Sequence, residues 1–265
     1  MVHFIGNTLS WIAAIAILPV ILLPLALLIG NEARTKTIIT WLGLSLAVVL
    51  LGFLFSHLAV DLPAYAFSVS HAFWAAGVIT LICVFGFAME PTRIAEFVDC
   101  TCTNVVTRTG KIASYFVIAM ALMQFAVVIL RYVFGVNFIS MQESITYMHG
   151  AVFLLAGGYA LLTDDHVRVD IFYREKSERH KARVNFVGTY LFLFPFCLLI
   201  LWAGSPYVAQ AWSVFEGSTE QSGIQGVFLL KTLIPIFALL LAMAGFKIAH
   251  NASAVLSKNN RTGHM

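Results

Sequence analysis

Apolar residues in this chain gather in long runs broken by short polar stretches. The runs fall at 9–29, 37–56, 66–88, 112–132, 145–163, 186–202 and 227–249. A helix rises about 1.5 Å per residue, so about 20 apolar residues cross a hydrocarbon layer roughly 30 Å thick. The pattern therefore predicts an all-α polytopic membrane protein with about seven transmembrane helices. The first run reads as a span and not a signal peptide, because no Lys or Arg precedes it and no small-residue cleavage site follows it. Pro19, Pro24, Pro195 and Pro235 fall inside runs, where neighbouring groups must satisfy the carbonyls they free.

The polar stretches carry the topology. If seven runs span, alternate connections hold 14 and 2 of the 16 Lys and Arg residues, Arg131 and Lys231 being the pair on the poor side. Basic loops stay in the cytoplasm, which puts the N-terminus outside and the C-terminus inside. The inner stretches 91–111 and 172–185 mix charges with spaced apolar residues, as short interfacial helices do. The longest outer connection, 205–226, carries Glu216 and Glu220 without a base, and is a candidate for docking an external partner. These boundaries divide the chain into a three-span extension (1–90), a linker (91–111), a four-helix domain (112–250) and a cytoplasmic tail (251–265). The extension reads as a lateral addition that widens contact with lipid or a neighbouring subunit. No internal repeat is convincing, and the inverted halves of a self-sufficient secondary transporter are missing from the pattern.

Composition narrows the chemistry. Of 265 residues 60% are apolar and 11% charged, with a mean hydropathy of +0.89, which excludes both a soluble domain and a disordered chain. A net charge of +3 on scattered residues excludes a nucleic-acid footprint. Cys83, Cys100, Cys102 and Cys197 lack the spacing of a disulfide framework or a zinc site and read as reduced and structural. No nucleotide loop, nucleophile motif, metal set or cofactor motif occurs, so no enzymatic role is expected.

Ionisable residues deep in a membrane are expensive and point to function. Here Arg131, Glu143, Asp164, Asp165 and Lys231 all sit at span ends, and Gln124 is the one strongly polar amide near a span centre, expected in an interhelical hydrogen bond. His57, His71 and His149 lie toward outer ends. A second reading follows from them: a b-type haem anchor for electron transfer, with His71 and His149 as axial ligands.

After the fifth run comes Asp164-Asp165-His166-Val167-Arg168-Val169-Asp170-Ile171-Phe172-Tyr173-Arg174. Its alternation argues for an extended piece with His166, Arg168 and Asp170 on one side, suited to pinning the span end, while its composition alone reads as a solvated turn. Together with Met141-Gln142-Glu143, Gly157-Gly158-Tyr159-Ala160-Leu161, Trp212 to Gly223 and Lys231-Thr232-Leu233-Ile234-Pro235, this string resembles the small permease (DctQ-like) subunit of tripartite ATP-independent periplasmic, or TRAP, transporters. The resemblance covers about residues 111–250. Many members carry W-x-E-E-x-x-R where this chain has Met141, Glu143, Ser144 and Tyr147, so only the first acid persists.

The resemblance implies four helices with both ends in the cytoplasm, in the bacterial inner membrane. It implies a non-enzymatic scaffold bracing a large permease subunit, which takes up an organic acid from a periplasmic binding protein on a sodium gradient. Subunit-interface candidates are Gly150, Ala151, Ala156, Gly157 and Gly158 on the fifth run, with His166, Arg168 and Asp170 after it. Outer docking candidates are Glu143, Glu216 and Glu220. Substrate and ion are expected on the partner, because the midplane of this chain offers neither converging oxygens nor desolvated bases.

Overall fold

The computed structural model describes residues 20–30, 34–58, 90–165 and 173–262. Among them regular structure is entirely helical: α1 (Val20–Ile29), α2 (Arg34–Leu58), α3 (Pro91–Tyr132), α4 (Ile139–Thr163), α5 (Glu178–Gly188), a π-helical turn (Thr189–Leu193), α6 (Phe194–Ser213) and α7 (Val227–Thr262). Four stretches are long and apolar enough to cross a membrane: Pro91–Tyr132, Ile139–Thr163, Glu178–Ser213 and Val227–Lys258. They cover the last four predicted spans. The second predicted span coincides with α2 and the end of the first with α1; the third, 66–88, lies outside the described residues, as do His57's side chain and His71.

The helices overrun the apolar runs that predicted them. The stretch 91–111, expected as a separate interfacial helix, is the first half of the unbroken 42-residue α3. Pro91 occupies its first position, where a missing N–H costs nothing, and no proline follows. Ala95, Cys102, Val106 and Ala113 are buried along it at helical spacing, so one seam continues from the charged half into the apolar half. Between α5 and α6 the turn widens directly before Pro195, whose ring would press on the carbonyl one turn back.

The chain forms two compact units. The first gathers described residues 102–165 and 193–245. Here α4 and α7 approach closely through glycine. A Cβ on Gly158 would sit 2.9 Å from the Leu240 backbone, and one on Gly157 would sit 2.7 Å from the Phe237 ring. Cys197, Leu241 and Ala242 form the buried centre, with Leu161, Leu193 and Phe237 around it. Ile118, Leu122 and Phe125 of α3 and Leu199 and Trp202 of α6 are exposed, as apolar side chains facing lipid are.

The second unit gathers described residues 20–30, 34–58, 90–101, 173–192 and 246–262. Its centre is α1: Leu22, Leu23, Ala26 and Leu27 pack with Trp41, Ala95 and Phe246, while Leu25 and Leu28 pack against Ala182, Phe186, Ala252 and Leu256. A helix buried on nearly all sides is a core element. Pro24 interrupts its ladder, and the Tyr190 hydroxyl enters the gap. It accepts from the Leu25 N–H at 3.1 Å and donates to the Ile21 carbonyl at 2.6 Å, so it bonds to both groups that a helical bond at this turn would pair. Asp99 and Lys247 form an ion pair at 2.5 Å in the same unit.

Candidate functional site

The densest polar cluster of the first unit surrounds the connection 214–226. It begins on α4, which starts six residues before the apolar run that predicted it because Ile139 to Ser144 continue the helix. That extra turn and a half presents Glu143 and, four residues on, Tyr147 on one face. Glu143 Oε2 accepts from the Ile224 N–H at 2.6 Å, and Tyr147 donates to the Ile224 carbonyl at 3.3 Å. Both backbone polar groups of Ile224 in the loop are thus held by side chains of one helix. Glu143 Oε1 accepts from the Ser218 hydroxyl, which itself accepts from the Glu220 N–H at 3.0 Å. A Cβ on Gly223 would lie 2.7 Å from Glu143 Oε1, so glycine is what admits the carboxylate.

The other end of the connection is tied to α7. Lys231 Nζ lies 2.5 Å from Glu216 Oε2 and 3.9 Å from the centre of the Tyr207 ring, with only 14% of its side chain exposed. Trp212 Nε1 donates to Thr232 Oγ1 at 2.8 Å, and the Phe228 N–H donates to the Glu216 carbonyl at 3.2 Å. Phe215 takes φ 45° where α6 ends, in the left-handed region that favours glycine, and the Glu216 N–H closes on the Ala211 carbonyl at 2.9 Å. Such a position costs about 1 kcal/mol with a side chain present. The ring contacts Phe228 edge-on at 5.7 Å, and Phe228 meets Trp212 at 4.8 Å.

The arrangement holds a loop. Glu143 and Glu216, two of the three outer docking candidates, spend their charge on partners within the chain, while Glu220 stays exposed with Thr219, Gln221 and Ser222. Gly150, Gly157 and Gly158, expected at a subunit interface, each have a neighbour on α7 of their own unit, at Leu230, Phe237 and Leu240. The reason is steric: glycine on one helix lets a bulky neighbour approach, and α7 supplies the bulk. Ala151 and Ala156 are half-buried. His166, Arg168 and Asp170 lie outside the described residues; before them, Asp164 ends α4 in the left-handed region and Thr163 Oγ1 donates to Asp165.

Gln124 is exposed on α3, and the interhelical bond expected of it is not formed among the described residues. His149 is exposed and packs on Phe153 at 5.1 Å. Among the described residues no three His, Cys, Asp or Glu side chains converge as a metal site would require. Tyr147, Tyr207, Ser218 and the Ile224 peptide were missed in the sequence. The spacing of Glu143 and Tyr147 was the available signal, but their partners stand 81 and 77 residues away.

The family model for the DctQ component of tripartite ATP-independent periplasmic transporters matches residues 120–252. That stretch contains Glu143, Tyr147, the whole connection and Lys231. No curated protein and no solved structure matches the chain. By that match across half its length, the chain belongs to the DctQ family, the small membrane component of TRAP transporters.

Proposed function

We propose that this small subunit braces the large permease subunit during sodium-coupled uptake of an organic acid handed over by a periplasmic binding protein. One observation carries the reading: within the matched stretch, Glu143, Tyr147, Trp212, Glu216 and Lys231 all bond within the chain. A carboxylate substrate needs desolvated donors and a sodium ion needs converging oxygens. Groups already spent on holding a loop offer neither.

In this reading seven helices span the bacterial inner membrane, the N-terminus is periplasmic and the C-terminus cytoplasmic, as the 14-to-2 division of basic residues supports. Residues 112–250 act as the bracing domain, 91–111 as its cytoplasmic entry, 1–90 as an added three-span region and 251–265 as a tail. Ala151 and Ala156 take part in the contact with the large subunit, His166, Arg168 and Asp170 pin the inner end of α4, and Glu220 helps to seat the binding protein. Calorimetry with carboxylates and sodium tests this. The chain alone should give no saturable heat and the assembled transporter should; saturable, sodium-dependent binding to the chain alone overturns the proposal.

A further inference from the structure

In the second unit α5 packs by one face. Ala182 and Phe186 are buried against Ala252 and Leu256 of α7, with Leu25 and Leu28 of α1 and Tyr190 completing the seam. That seam turns His180, Arg183, Val184, Val187, Leu191 and Phe192 outward, and all six are exposed. Gly188 stands between Val184 and Phe192, four residues from each, so the three lie in one row along the helix. A Cβ at Gly188 would meet nothing within 4 Å among the described residues. The glycine therefore makes room for no described neighbour, although it weakens a helix relative to alanine. It leaves bare backbone between exposed apolar side chains.

Charge changes abruptly along this face. Residues 174–183 hold five basic residues against two acids, whereas no charged residue occurs from Asn185 to Ser213. The stretch Glu178–Ser213 is long and apolar enough to cross a membrane, so Arg183 is the last charge before the apolar run. Glu178 is engaged by Lys181 at 3.2 Å, while no acid pairs with Arg183 among the described residues. A guanidinium grips a phosphate through two parallel hydrogen bonds, and an acyl chain fits the strip that lacks a side chain at 188. The surplus of basic charge favours a head group of net negative charge over a zwitterionic one. We infer that the outward face of α5 holds an anionic phospholipid, its phosphate on Arg183 and an acyl chain along Val184, Gly188 and Phe192. The inference needs Arg183 at a membrane surface and is independent of the bracing role.

Native mass spectrometry of the full-length chain in detergent, titrated with phosphatidylglycerol or phosphatidylethanolamine, tests it. Phosphatidylglycerol should be retained in clear preference, and excess inorganic phosphate should leave it in place. Arg183→Gln, at an exposed residue, should weaken that retention about tenfold, the effect of losing one charge-assisted contact. Gly188→Leu fills the bare strip without meeting a described neighbour and improves helix propensity, so it should fold and still weaken retention. Equal retention of the two lipids, or retention unchanged in either variant, overturns the inference. Displacement by inorganic phosphate would reveal a free-anion site, and a dimer abolished by Gly188→Leu would make a second copy the occupant; either result overturns it as well.

Discussion

The two units secure irregular backbone by opposite means. The connection 214–226 is held by charged side chains: Glu143 grips Ser218 and Ile224, and Lys231 grips Glu216 beside Tyr207. The break at Pro24 is held by one neutral hydroxyl inside a packed core. The difference follows from solvation. Glu216 is 36% exposed, so its charge keeps contact with polar surroundings and costs little to hold. Beside α1, where Leu23 and Ala26 are buried, an unmatched charge would cost several kcal/mol, about the worth of many packing contacts. A tyrosine hydroxyl both donates and accepts, so it repairs the ladder without bringing charge into the core.

This contrast can be broken experimentally, most severely in the core. Leu23→Ala removes a side chain that is 1% exposed at the centre of the second unit. It should cost about 2 kcal/mol, the low end for Leu→Ala, because unfolding within lipid returns no side chain to water. Denaturation in mixed micelles measures it, and a loss near zero would mean that α1 does not hold the unit together. Tyr190→Phe should cost about 1 kcal/mol in the same assay. The figure is modest because the orphaned Leu25 N–H and Ile21 carbonyl are helical partners and can close on each other. A loss as large as that of Leu23→Ala would show that Pro24 forbids this closure.

Glu143→Gln should act on the loop alone. Hydrogen exchange at the Ile224 amide should quicken while the unfolding midpoint hardly moves. A fall in the midpoint equal to that of Tyr190→Phe would erase the distinction between a local latch and a core insertion. An effect of the opposite sign is expected at Gly43, where a Cβ would meet nothing within 4 Å. Gly43→Ala should stabilise α2 by about 0.5–1 kcal/mol through propensity alone. A loss there would reveal a close neighbour of α2.

What the sequence made legible follows the same division. Runs of apolar residues locate the four spanning stretches, and α7 begins at Val227 as predicted. Helix ends are poorly marked, because polar residues such as Gln142 and Glu143 continue a helix as readily as they end it. The charged half of α3 reads as a connector until Ala95, Cys102 and Val106 are seen to share a seam with Ala113. Glu143 stands out as an acid at a span end, but its partners are a distant hydroxyl and a backbone N–H, and a peptide group leaves no mark in the sequence. The glycines of α4 read equally well as an external or an internal contact. The position of Phe237 and Leu240 shows the internal contact that the chain makes.

The central claim is that the matched region stays rigid while its partner moves. Spin labels at Phe153 on α4 and Leu229 on α7, both exposed and both in the first unit, report on it directly in the assembled transporter. Pulsed dipolar spectroscopy should give one narrow distance distribution, unchanged between the resting complex and the complex with sodium, carboxylate substrate and binding protein. A second population or a shifted maximum on adding substrate would mean that the small subunit changes shape during transport, and would contradict the account.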